Sequence, residues 1–412
     1  LGYSVIIAER NGFPGGQAVG GLSATICGLY LTNEDWSRKN GPVQIVHGFL
    51  DRFKEKMKNR VGLTEPQLYG NTYVDAHEPF VWKCVAEEML KDAGVTIMYH
   101  VTVAEVVKNG NLIEEVILLS DIGYFRIRAK RYIDASGDAV LIAAGNGAFR
   151  CGQNGVVQNP SFIFKLGGVD CDQFWNYYGE NTICHDEFTE RLYEAEKSYG
   201  ISLPRKKIWV FKCVNDHEIY VNATSVSRSD GKNINCLLPE DCSYAEINGR
   251  KQAIDYAEFF KDYIPGCENS HIGEHASQIG VRQTRSAECM YTLKNEDVEK
   301  CVKFEDGVVK SSWPIELHRG EKPKLFWLTN DYYEIPYRAM VPKGFSNVLV
   351  AGRCIDAEHE ALASCRVTAQ CFEMGHAAGI AAAVSLGDGK LFPSLDGTEI
   401  RRQLNLDGAQ LD

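Results

Sequence analysis

The stretch Ile335 to Ala382, IPYRAMVPKGFSNVLVAGRCIDAEHEALASCRVTAQCFEMGHAAGIAA, passes from an apolar strand through a glycine turn and an arginine and histidine pair into a helix rich in glycine and alanine. Asn347 to Ala351 reads as a buried strand, and Gly352 lets the backbone leave it sharply. From about Val367 the helix residues are small enough for a ligand or a strand to approach their backbone. Free N–H groups at a helix start, together with the aligned peptide dipoles, suit an anionic ring or a phosphate.

Working outward, Tyr3 to Ala8 (YSVIIA) is a short β-rich run that ends in Glu9-Arg10 and is followed by Gly15-Gly16 and Gly20-Gly21. A carboxylate at the end of a buried strand can accept hydrogen bonds from ribose hydroxyls, and a double glycine lets backbone amides approach a dinucleotide. Val101 to Val107 and Leu112 to Leu119 alternate apolar residues about Asn109-Gly110-Asn111, which predicts an antiparallel hairpin. Tyr132-Ile133 is the next strand, closed by Asp134-Ala135-Ser136-Gly137-Asp138.

These blocks, AERNGFPGGQA, YIDASGD, IGVRQTR with the following YTL, and the quoted C-terminal stretch, stand in an order that resembles the FAD-dependent oxidoreductases of glutathione-reductase-like architecture. The resemblance covers nearly the whole chain and reaches distantly to the fumarate reductase and succinate dehydrogenase flavoproteins. It implies an α/β chain whose FAD-binding, Rossmann-like domain is discontinuous (residues 1–155 and 336–412) and carries an inserted α+β substrate domain (residues 156–335). It implies that Glu9 with Arg10 binds the adenosine ribose, and that Gly15, Gly16 and Gln17 meet the cofactor backbone. Thr102 and Val103 would lie on the adenine side, and Ala135 to Gly137, with Asp138, near the pyrophosphate. Gly352, Arg353, Ser364, Arg366 and Val367 would line the ribityl chain and isoalloxazine. The family opens with a strand and a G-x-G-x-x-G loop, none of which precedes Leu1-Gly2, and Gly145-Asn146-Gly147 does not replace it. The expectation is an N-terminally incomplete chain, and weak flavin binding if the protein truly starts there.

Bulk properties narrow the function class. The chain has 412 residues, 44% hydrophobic and 24% charged, enough to bury a large core and to divide into two domains. A formal net charge of −11 repels phosphate backbones and argues against nucleic acid, so Arg205-Lys206-Lys207 and Arg126 to Arg131 read as solvated faces. No apolar run approaches membrane-spanning length. Fourteen cysteines without a C-x-x-C pair read as small hydrophobes in a reducing, cytoplasmic setting, although a lost export signal stays open. No metal set is expected.

Between Asn159 and Asp331, the runs PSFIFKLGG, KKIWVFKCV and HEIYVNATSV predict an antiparallel sheet, with a helix near Ala253 to Tyr263. Residues 51–93 read as helices and loops, including a helix over Pro79 to Leu90 started by Glu78-Pro79. Hydride chemistry on flavin leaves a proton for the protein to handle, and an oxygen-rich substrate needs cationic donors. The candidate catalytic residues are Arg338, His359, His318 and Arg285. His318 reads equally as a turn hydrogen-bonder, and Arg285 with Arg282 as partners of Glu274 or Glu288. Arg366, at a helix start, reads as flavin-binding. The partners expected are a small-molecule substrate and an electron partner that the residues do not identify. Flavin monooxygenase chemistry and a cofactor-deficient binding protein are the alternatives.

Overall fold

A computed structural model describes residues 2–33, 41–318 and 321–412. Two parallel strand pairs form the Rossmann-like part: Ile6–Ala8 beside Thr96–Met98, and Val348–Val350 beside Tyr132–Asp134. Their shortness follows from their sequence, since each is a three-residue apolar run stopped by an acid or a glycine turn. The pairs are separate two-stranded sheets among the described residues, and Ile6 and Ile133, one from each, are exposed.

Beside them lies the predicted hairpin, Thr102–Asn109 with Leu112–Ser120, extended by Gly123–Ile127 into a three-stranded antiparallel sheet. Asn109 and Leu112 form its closing pair, and Gly110 takes the positive φ (58°) that the tight turn requires. Strand Val348–Val350 is fully buried and packs with the long helix Thr368–Gly387, whose alanines at 377, 378 and 381 are also fully buried. Ala287 to Ile335 contributes many residues to this same core, from Cys289 through Tyr333.

The inserted region builds a four-stranded antiparallel sheet in the order Trp209–Lys212, Glu218–Asn222, Phe164–Gly167, His271–His275. Its core takes in Leu22, Tyr69 and Val74 from the N-terminal segment, and also Trp313. A third, smaller core gathers Phe53, Trp82 and Val85.

Helix Pro79–Asp92 starts as its sequence dictates, with Glu78 as N-cap and proline in the first turn, where the missing N–H costs nothing. The helix expected near Ala253 is longer, Pro239–Tyr263. Ala245, Gly249, Ala253, Tyr256 and Phe260 recur every three or four residues and form its buried face. Residues 51–93 are not only helices and loops: Gln67–Tyr69 pairs with Thr72–Ala76 across a turn at Gly70, a hairpin too short to announce itself. Arg205 and Lys206 correct another expectation. Both are buried, each 1% exposed, because Lys206 is paired with Glu196 and Arg205 is bonded to Asn222 and His318.

A Cβ on Gly249 would lie 2.9 Å from Phe162 Cβ, so the long helix rests directly on the sheet there. Gly249→Val is expected to lower stability by about 1–3 kcal/mol through overpacking, measured by urea unfolding. An unchanged urea midpoint would show that the helix does not depend on this close approach.

Candidate functional site

Several of the residues expected to bind the cofactor meet at the loop that follows Tyr132–Asp134, among them Arg10, Asp138 and Arg353. Asp134 is buried, and its carboxylate accepts from the Ser136 backbone and hydroxyl and from the amides of Leu141 and Ile142. Burial pushes its pKa up, and these bonds oppose the shift. The effect is to fix the turn 135–139, with Gly137 at φ 74°. That turn presents Asp138 to three partners: Arg353 Nη2 at 3.1 Å, the Thr284 hydroxyl at 2.7 Å and Arg10 at 3.6 Å. Burial alone would raise the Asp138 pKa, but Arg353, Thr284 and Arg10 outweigh it and hold the carboxyl below its ordinary range.

Glu9 ends its strand and accepts the Asn11 amide at 2.8 Å. Gly15 and Gly16 take positive φ, and a Cβ on Gly16 would meet nothing within 4 Å, so that side of the loop is open to a ligand. The Gln17 side chain accepts from Val281 N and ties the glycine loop to the segment before Arg282. Thr102 and Val103 open the hairpin and pair with Leu119 and Leu118. Ala135 is exposed. Gly352 turns the chain at φ 82° directly after Val348–Val350, as the quoted stretch requires. Val367 is the N-cap of Thr368–Gly387, and the Cys27 carbonyl already accepts from Ala369 N at 3.0 Å. Ser364 points into the core, with its hydroxyl bonded to the Trp313 carbonyl and the Tyr333 hydroxyl. Arg353 Nη1 is buried without an acceptor, which fits an oxygen-rich anionic ligand at this loop.

A second group of polar residues lies inside the protein, where sequence reasoning named only some members. Arg205 Nη2 lies 3.0 Å from His318 Nδ1, and His318 Nε2 lies 3.0 Å from Glu316 Oε1. Because a guanidinium only donates, Nδ1 is the acceptor, so Nε2 carries the proton and donates to Glu316. Burial and Arg282 push the His318 pKa down to about 3, which agrees with a neutral ring. Burial would raise Glu316, but His318, Arg282 and Arg366 hold it near 2, so it is an ionised carboxylate.

Arg282 donates to the Asn159 carbonyl at 2.8 Å, and Arg366 donates to Gln158 Oε1 at 2.9 Å. Burial lowers the pKa of all three arginines, Arg366 to about 10, which leaves it protonated at neutral pH. Trp209 lies under the Arg205 guanidinium at 5.4 Å, and Tyr69 packs between Trp209 and Trp313. Tyr69 is also within electrostatic reach of Glu316, and burial keeps it a phenol. The group thus draws on the Gln67–Tyr69 hairpin, the inserted sheet, the loop before Arg285–Ala287, strand Ile315–Leu317 and the turn before the long helix.

Of the four candidate catalytic residues, this cluster holds His318. Arg285 lies over the Phe149 ring and donates to the Asp138 carbonyl, on the cofactor side. Neither Arg282 nor Arg285 is paired with Glu274, which holds Lys165 instead. Arg338 pairs with Asp306 at 2.8 Å over the Tyr291 ring, in an open cleft of about 520 Å³ that also contains Lys303 and Thr398. His359 is half-buried at the start of helix His359–Cys365. Glu316 and Tyr69 carried no local signal, each a lone polar residue in an ordinary β-rich run, and Arg205 was hidden in the Arg205-Lys206-Lys207 charge run. The signal for Arg282 was its place inside IGVRQTR.

No helix among the described residues is long and apolar enough to cross a membrane. No curated protein matches the chain. Among solved structures, p-nitrophenol 4-monooxygenase from Pseudomonas putida DLL-E4 is similar over 98% of this chain and 78% of its own, at 11% identity and TM-score 0.46. The flavin-dependent brominase Bmp2 is similar over 98% and 77%, at 13% identity and TM-score 0.45. Anhydrotetracycline hydroxylase from Streptomyces rimosus covers 98% and 60%, at 8% identity and TM-score 0.44. The family described as FAD dependent oxidoreductase matches residues 1–404. With that match over nearly its whole length, the chain belongs to the FAD-dependent oxidoreductase family, and its cofactor is FAD.

Proposed function

We propose that the protein dehydrogenates or reduces a small oxygenated organic molecule at the buried cluster of Arg205, Arg282, Glu316, His318 and Arg366. The observation that carries this reading is the position of Arg366. It occupies the turn between His359–Cys365 and Thr368–Gly387, the turn read as meeting the isoalloxazine, and its side chain joins the cluster. FAD supplies the acceptor or donor of the hydride.

The chain's own residues handle charge and proton. Arg282 and Arg366 offer N–H donors to a substrate oxygen on which negative charge develops, in a setting where water does not compete. His318 is held neutral and in one tautomer between Arg205 and Glu316. A substrate oxygen that takes over the Arg205 donor frees Nδ1 to accept a proton, while Glu316 stabilises the imidazolium so formed. Arg353, Asp138, Thr284 and Arg10 hold the cofactor side, with Glu9 and the Gly15-Gly16 loop at the adenosine end.

Anaerobic mixing of FAD-loaded protein with sugars, hydroxy acids and unsaturated acids tests this reading. Bleaching of the flavin absorbance by one class, or reoxidation of chemically reduced protein by it, is the expected result. His318→Ala should slow that step by about 10²-fold with FAD still bound. An unchanged rate would remove His318, and a hydroxylated product formed only with oxygen would replace hydride transfer by oxygenation.

The protonation states also set the acid stability. His77 is fully buried beside Trp82, and burial, then Lys165, lowers its pKa to about 3, as in His318. Unfolded histidines take a proton near pH 6.5 while the folded ones resist it until about 3, so stability falls as pH drops through that window. Glu316, held near 2, adds a loss below its unfolded value of 4.5. Each histidine should contribute a slope of up to about 1.4 kcal/mol per pH unit. Urea midpoints measured from pH 7 to 4 check this, and His77→Gln should flatten the curve.

A further inference from the structure

The charges of the cluster do not balance. Arg205, Arg282 and Arg366 are three guanidiniums, and among the described residues the carboxylate acting on all of them is Glu316, which leaves two positive charges there. Lone buried cations are costly, more so than lone buried dipoles. The hydrogen-bonding deficit has the same sign. Arg205 Nε, Arg366 Nε, Gln158 Nε2, Trp209 Nε1 and Trp313 Nε1 are all buried donors without an acceptor. Arg205 is 1% exposed, Gln158 4% and Trp209 fully buried, so water does not satisfy them from the surface.

A charged cofactor ring does not remove the excess. Arg366 stands at the turn before the long helix and is placed to serve the cofactor, whereas Arg205 and Arg282 come from the inserted region and approach from elsewhere. One negative charge on the ring would still leave a cation uncompensated.

We propose that the substrate enters this cluster through an oxyanionic group, a carboxylate or a phosphate, seated against Arg205 and Arg282 and walled by Trp209 and Tyr69. The assignment rests on the reading of this cluster as the substrate site. The guanidinium forks supply paired donors to a planar or tetrahedral oxyanion, and Gln158 and the indole N–H groups offer further bonds. Glu316 offsets the mutual repulsion of the arginines and, through His318, fixes the direction of Arg205.

The test uses FAD-loaded full chain in its oxidised form, titrated at constant ionic strength with malonate, with inorganic phosphate and with uncharged malonamide. Tryptophan fluorescence and thermal midpoint are read, since Trp209 lies under Arg205. Malonate or phosphate should give a saturable change and a raised midpoint, and malonamide neither. The stronger of the two anions separates a carboxylic acid from a phosphate ester. Arg282→Met and Arg205→Met should each weaken the response at least tenfold, while Arg282→Lys, which keeps the charge, should retain most of it. Without anion, Arg282→Met should melt no lower than the parent, because an unpaired buried cation has been removed. No saturable response to either anion, or full affinity in both methionine variants, would overturn the proposal. Anion binding without flavin turnover on any acid would leave it standing and count against the oxidoreductase reading of the cluster. Bleaching by neutral sugars that neither anion inhibits would do the reverse.

Discussion

The constraint on which the interior depends is the burial of three guanidinium groups around one carboxylate. Arg205, Arg282 and Arg366 come from separate segments into the field of Glu316, which touches Arg205 only through a neutral His318. Buried charges hold their positions only if each is braced. Asn222 braces Arg205, the Asn159 carbonyl braces Arg282 and Gln158 braces Arg366. These braces fasten the inserted sheet to the turn before the long helix. The protein's net charge of −11 is therefore a property of its surface, since the interior at this point is positive.

The loop after Tyr132–Asp134 is organised differently, around a carboxylate. Asp138 collects Arg353, Thr284 and Arg10, and it can do so because Asp134 and Gly137 set the turn beneath it. A side chain at Gly137 would lie 2.7 Å from the Arg353 guanidinium, so the turn and the ion pair require one another. The Arg282 to Arg285 segment links this loop to the arginine cluster, since Thr284 and Arg285 bond Asp138 while Arg282 bonds the Asn159 carbonyl.

Much of the Rossmann-like part was legible because its signals are local. The Asn-Gly turn predicted the Thr102–Asn109 hairpin, Glu78-Pro79 predicted the start of its helix, and Gly352 marked the end of the buried strand. The reading failed where tertiary packing overrode local chemistry. Arg205-Lys206 looked like a solvated charge run, yet Glu196, Asn222 and His318 supply partners that permit burial. Arg338 looked like a site residue by its neighbourhood in sequence, but its bonds are with Asp306 in an open cleft.

The sequence by itself carried the family, the α/β class and the cofactor through a resemblance borne by four motifs in order, and it fixed the local turns because glycine and turn-residue conformations are decided within a few residues. Only the tertiary structure decided that the arginine cluster is one group. Tyr69, Arg205, Arg282, Glu316, His318 and Arg366 lie up to nearly three hundred residues apart, and although His318, Arg366 and the IGVRQTR block stood out singly, nothing local joined them to Tyr69, Arg205 and Glu316. Their shared burial, and with it the excess positive charge, exists only once the chain has brought them together.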